Sequence, residues 1–85
     1  MGEHKYDITI CKGNSPQEFK NICGKITATF TEWIKKDLLI DVDGTTIQVY
    51  EKNGEKIVVY DDYVEGAVYV LSDVDIKSVI EIKND

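Results

Sequence analysis

The stretch DLLIDVDGTTIQVYEKNGEKIVVYD, running from Asp37 to Asp61, decides the fold. It carries two Asx-Gly pairs, Asp43-Gly44 and Asn53-Gly54, each flanked by β-branched and aromatic residues. Asx-Gly favours a two-residue type I′ hairpin, because both central positions need φ > 0. Two such turns set a register. Ile40 then faces Ile47, Leu38 faces Val49, Val49 faces Val58 and Ile47 faces Tyr60. Side chains alternate between sheet faces with period two. One face therefore collects Leu38, Ile40, Val42, Ile47, Val49, Val58 and Tyr60, and this is the expected core face. The other carries Leu39, Asp41, Thr46, Gln48, Tyr50, Ile57, Val59 and Asp61; it is mixed and is expected to point outward, the alternative being that the helix or the first strand covers it and makes Tyr50 a core residue.

Working outward, Tyr6, Ile8 and Ile10 alternate with Asp7, Thr9 and Cys11, which predicts a first strand over His4–Cys11. Ser15-Pro16-Gln17-Glu18 is a helix start, with Ser15 as N-cap, Pro16 at the first helical position and Glu18 closing a capping box. Phe19, Ile22 and Cys23 form one apolar stripe, and Gly24 suits a C-terminal cap, so a short helix is expected near residues 16–23. Lys25 to Ile34 alternates again, with Ile26, Ala28 and Phe30 inward, and predicts a strand. Ala67 to Leu71 predicts another. Ser72-Asp73-Val74-Asp75 reads as a capped turn, Ile76, Ser78, Ile80 and Ile82 as a last strand, and Lys83-Asn84-Asp85 as a frayed end. The whole predicts one small globular domain over residues 1–85. It is mainly β (α+β by strict count), an antiparallel meander of about six strands curling into a small barrel or sandwich.

Charge is distributed unevenly. Residues 1–36 hold six lysines against four acids, and residues 37–85 hold four lysines against twelve acids, with no arginine anywhere. An acidic surface without the arginine fork is a poor match for phosphate backbones, so no direct nucleic-acid partner is expected. A protein partner with a basic surface, or self-association, fits better. No apolar run approaches membrane-spanning length, and the N-terminus lacks a secretory layout. The chain is therefore expected to be cytoplasmic, with no membrane partner. Met1-Gly2 resembles a myristoylation start, but Tyr6 stands where Ser or Thr is required.

Little in the chain points to catalysis. Asp41-Val42-Asp43-Gly44 invites a calcium reading, yet an EF-hand frame would put Leu39 and Tyr50 at ligand positions, so a hairpin tip explains it better. Asp61, Asp62, Asp73 and Asp75 read as solvated loop acids that could at most gather weakly at one end of the sheet. Cys11 and Cys23 are the two cysteines. Buried thiols, a disulfide and, with His4, a metal site are the readings in descending order. Cys11 and His4 on one strand would lie more than ~20 Å apart on opposite faces, too far for a nucleophile–base pair.

No cofactor is expected, and the chain is read as non-enzymatic. The expected function is a protein–protein interaction module or small accessory subunit with an acidic, tyrosine-bearing surface. Trp33, Tyr50, Ile57 and Tyr63 are its candidate binding residues, since Trp and Tyr are frequent interface anchors. The alternative is a small acidic inhibitor or immunity-type protein that occludes a basic site on its partner.

Overall fold

In the computed structural model, which describes residues 5–81, the first strand β1 (Tyr6–Lys12) turns at Gly13 into helix α1 (Pro16–Thr29). Two very short strands follow, β2 (Ile34–Lys35) and β3 (Leu39–Ile40), then β4 (Thr46–Lys52), β5 (Glu55–Asp62), β6 (Ala67–Ser72) and helix α2 (Lys77–Ile80). The readings made for Met1-Gly2, His4, Ile82 and Lys83-Asn84-Asp85 lie outside the described residues.

The strands form one antiparallel sheet in the order β1-β6-β5-β4-β2, with β3 also paired to β4. The expected antiparallel six-stranded class is present. The sheet stays open instead of closing into a barrel, because β1 and β2 end it without meeting. The second layer is helical. The first strand joins β6 through a register shift between Thr9 and Cys11. This bulge lets Ile8, Ile10 and Cys11 all reach the core, where strict alternation would turn one of the adjacent pair Ile10 and Cys11 away.

Helix α1 starts where its sequence predicts. Ser15 Oγ accepts the Glu18 N–H at 3.1 Å, and Pro16 occupies the first turn. It does not stop at Gly24. The helix runs on to Thr29, so the strand expected over Lys25–Ile34 is helix, then a turn, and only Ile34–Lys35 is extended. Ile26 and Phe30 fit period two, but they also continue the stripe of Phe19, Ile22 and Cys23 at helical spacing. Burial settles the competition: Phe19, Ile22, Cys23 and Ile26 are all buried. The expected last strand is likewise helix α2, preceded by Asp75 Oδ1 accepting the Lys77 N–H at 3.0 Å. Ile76 and Val79, three residues apart, sink into the core beside α1.

The second hairpin has the expected register, Glu51 opposite Lys56, Val49 opposite Val58 and Ile47 opposite Tyr60. Asn53 (φ 53°) and Gly54 (φ 83°) both take the left-handed conformation that a type I′ turn requires. The first hairpin is one residue out of the expected register, with Leu39 opposite Ile47 and Ile40 opposite Thr46. Here Gly44 takes positive φ (90°) while Asp43 does not. The Gly44 N–H donates to the Asp41 carbonyl (3.0 Å) and the Asp41 N–H to the Thr45 carbonyl (2.8 Å), giving a three-residue loop with a glycine bulge. Asp43 Oδ1 accepts the Thr45 N–H at 2.9 Å, which keeps Asp43 out of the I′ geometry.

The core lies on the face opposite to the one expected. Tyr50, Ile57, Val59, Val68 and Val70 are buried beneath the helices, with Gln48, Asp61 and Ser72 on the same side. Of the residues expected in the core, Val58 is buried, Ile47, Val49 and Tyr60 are half-buried, and Leu38, Ile40 and Val42 are exposed. Both faces of β4 and β5 are apolar, so parity alone does not say which one a helix will cover.

Gly24 sits within α1 with nothing within 4 Å of where a Cβ would stand. Gly24→Ala is expected to stabilise the protein by about 0.5–1 kcal/mol, because alanine is the better helix former and narrows the unfolded ensemble. Urea unfolding checks this; a lowered midpoint would mean that the helix does not run through residue 24.

Candidate protein-binding surface at the acidic loop end

Two turns meet at one end of the sheet, Asp41–Thr45 between β3 and β4 and Asp62–Gly66 between β5 and β6. The Tyr63 N–H donates to Thr45 Oγ1 at 3.1 Å. The Tyr63 ring lies so close over Gly44 that a Cβ there would collide with its Cδ2 and Cε2. Gly44 is therefore required twice, for its positive φ and for its missing side chain. Asp62 organises the second turn. Its Oδ1 accepts the Val64 and Glu65 N–H groups, each at 2.9 Å, and its Oδ2 accepts the Tyr69 hydroxyl at 2.7 Å. These bonds hold the Asp62 carboxyl below its ordinary range, Glu65 and Tyr69 contributing most. Burial, together with the Asp62 carboxylate, pushes the Tyr69 hydroxyl well up, so it stays a donor. Asn14 Nδ2 joins this end to the start of α1, donating to Asp61 Oδ1 (3.1 Å) and to the Asp62 carbonyl (2.8 Å).

Three apolar side chains project from these turns. Val42 is fully exposed, Val64 is 75% exposed and Tyr63 57%. Asp41, Asp43, Asp62 and Glu65 stand beside them in the same two turns. Turns usually carry polar tips, so an apolar residue held on a rigid turn is the more informative feature.

Of the four residues expected to form the binding surface, Tyr63 alone is well exposed. Tyr50 (1% exposed) and Ile57 (0%) are core residues, because α1 covers the face they occupy. Tyr50 donates its hydroxyl to the Cys23 carbonyl at 3.0 Å and lies 2.9 Å from Thr27 Oγ1, and its burial pushes it up to about 12. Trp33 is half-buried, edge-on to Phe30 with ring centroids 5.5 Å apart. It follows the C-terminus of α1, whereas Tyr63 adjoins the N-terminus, so the four do not assemble into one surface. Sequence reasoning missed Val42 and Val64. The sequence alone placed Val42 on the expected core face, and its exposure follows from the three-residue loop that carries it.

The remaining candidates separate as well. Cys23 is buried and Cys11 half-buried, and both are free thiols. Burial, only partly opposed by Tyr50 and Lys35, pushes the Cys23 thiol up to about 11, which leaves it protonated and unreactive. Asp73 Oδ2 accepts the Lys56 N–H at the end of the sheet opposite Asp62, so the four loop aspartates do not gather. Among the described residues no three His, Cys, Asp or Glu side chains come together as a metal site.

The sheet face away from the helices is a second open surface. Register places Leu39, Ile47, Val49, Val58, Tyr60, Tyr69 and Leu71 on it, with Tyr60 and Tyr69 stacked at 4.8 Å. Its rim mixes Lys12, Lys36 and Lys56 with Asp7, Glu51 and Asp62, and Lys36 pairs with Glu51 at 3.3 Å. No helix among the described residues is long and apolar enough to cross a membrane. No protein-family model matches the chain, and no curated protein or solved structure matches it either.

Removing the Asp62 carboxylate as Asp62→Ala is expected to cost about 1–2 kcal/mol at neutral pH, from three lost hydrogen bonds at a partly exposed site. The folded carboxyl titrates below its unfolded value, so its contribution is complete above about pH 4 and fades as pH falls through the folded pKa. Urea unfolding of both chains at pH 7 and in stronger acid checks the sign: the gap between them should narrow in acid.

Proposed function

We propose that the chain is a non-enzymatic protein-interaction module that engages a basic partner surface through its acidic loop end. One observation carries this reading: Val42, Tyr63 and Val64 stand exposed among four carboxylates on two turns locked together by the Tyr63–Gly44 contact. Apolar knobs supply contact area, a ring of acids supplies orientation and on-rate, and a pre-ordered loop pair lowers the entropy cost of docking. A small accessory subunit and an inhibitor that plugs a basic cleft would both use this surface. The inhibitor differs in one respect, since its partner loses an activity on binding.

The test is affinity capture from the native host with the wild-type chain and with Tyr63→Ser and Val42→Ser. Expected is a protein retained by wild type, released by raised salt and lost with either substitution. Retention that ignores both salt and the substitutions assigns the contact elsewhere.

The uncovered sheet face favours a second reading, self-association. A face with an apolar centre and a rim mixed in charge suits a copy of itself better than a strongly basic surface. Sedimentation at several concentrations decides it. A dimer weakened at least tenfold by Leu39→Asp, an exposed position on that face, supports self-association, and a monomer at every concentration removes it.

A further inference from the structure

The side of the sheet that carries α1 is not filled to its edge. Between α1 and the β2–β3 segment lies a groove of about 910 Å³, within the size range of small-molecule sites (~300–1,000 Å³). Its floor is β4, where Thr46 and Gln48 face the helix side. Its β2–β3 wall reaches from Ile40, opposite Thr46, to Lys35, opposite the buried Tyr50, roughly 14 Å at the strand rise. Tyr63, packed on Gly44, stands at the Thr46 end.

The lining is not uniform along that length. Towards Tyr63, Phe19 comes from α1, Leu38 and Ile40 on the opposite wall are 51% and 71% exposed for want of anything packed on them, and Asp61 lies opposite Thr46. Lys20 and Lys35 flank the middle and the far end. Lys35 lies close enough to Cys23, one turn past Lys20 on α1, for its charge to act on the thiol. Neither lysine has a carboxylate partner among the described residues. Two carboxylates also line the groove. Asp61 is buried and held by Asn14 and the Ser15 N–H, and Asp37 stands exposed on the rim. Lys36 also borders the groove, but its ammonium turns away to Glu51.

We propose that this groove binds a free amphipathic monocarboxylate, an unbranched apolar chain of about decanoate's length. Its carboxylate meets Lys35 and Lys20, and its chain lies against Phe19, Leu38 and Ile40 with the end at Tyr63. A peptide helix of the same length is ~10–12 Å across and would take more volume than the groove encloses. Gly24, on the α1 wall with open space beyond it, leaves the room in which the head group sits.

The test is amide NMR of the intact chain titrated with decanoate and with octanoate below their micelle concentrations. Expected are saturable shifts centred on Gly24, Lys35, Leu38, Ile40 and Gln48, with decanoate binding about tenfold tighter for its two extra methylenes. Lys35→Ala should weaken binding about three- to tenfold. Gly24→Leu should abolish it by filling the groove, and Ile40→Glu, at an exposed position, blocks it independently should the first variant fold poorly. The proposal is overturned by the absence of saturable shifts at millimolar decanoate, or by equal binding of decyltrimethylammonium. It is also overturned by shifts centred on Val58, Tyr60 and Leu71, or by unchanged binding in folded Ile40→Glu.

Discussion

Everything in this domain depends on which side of one sheet the helices occupy. Tyr50 is the hinge of that choice. Its ring is buried under α1, and its hydroxyl is tied to the Cys23 carbonyl and to Thr27. Because strand side chains alternate, placing Tyr50 inward also places Gln48, Ile57, Val59, Val68 and Val70 inward. It commits Ile47, Val49, Val58, Tyr60, Tyr69 and Leu71 to the side with no helix. A sheet with one helical layer needs one apolar face, and this sheet has two. The second one carries no helix among the described residues.

Much of the fold was legible. The Asn53-Gly54 hairpin, the start of α1 and the strand over Ala67–Leu71 follow from local chemistry: φ > 0 at two adjacent residues, a serine cap before a proline, and alternation in a β-branched run. The failures share one physical origin. Ile26-Thr27-Ala28-Thr29-Phe30 and Ile76-Lys77-Ser78-Val79-Ile80 satisfy both a period of two and a period near 3.6, and only tertiary burial separates them. Asp43-Gly44 invited a two-residue turn, but the Asp43 carboxylate finds the Thr45 N–H in a longer loop. That single-residue difference moves Leu39 and Ile40 to opposite faces.

The candidate surface was legible in composition and not in placement. Acids and a tyrosine near Gly44 could be read from the chain, and Tyr63 is where they converge. Tyr50 and Ile57 were assigned outward because the sheet was read from the wrong side, which is the cost of two apolar faces. Val42 and Val64 needed the packed turns to be seen, since their exposure follows from what their neighbours do. The groove beside α1 was not legible at all, because it depends on how far a 14-residue helix reaches across the sheet.

The pairing of β1 with β6 bears on how the chain reaches this state. Tyr6 lies opposite Ser72, so seating β1 closes a long loop. Closing a loop of that size carries an entropy cost that a tight hairpin does not. The Asn53-Gly54 hairpin and α1 are local, whereas β1 pairs with β6 across most of the chain. Without β1, β6 would be a bare edge carrying Val68, Val70 and Leu71, the kind of edge that pairs with strands of other chains. The bulge at Thr9–Cys11 then has a second role. It makes β1 irregular once it is in place, so the sheet exchanges an inviting border for one that discourages further strands.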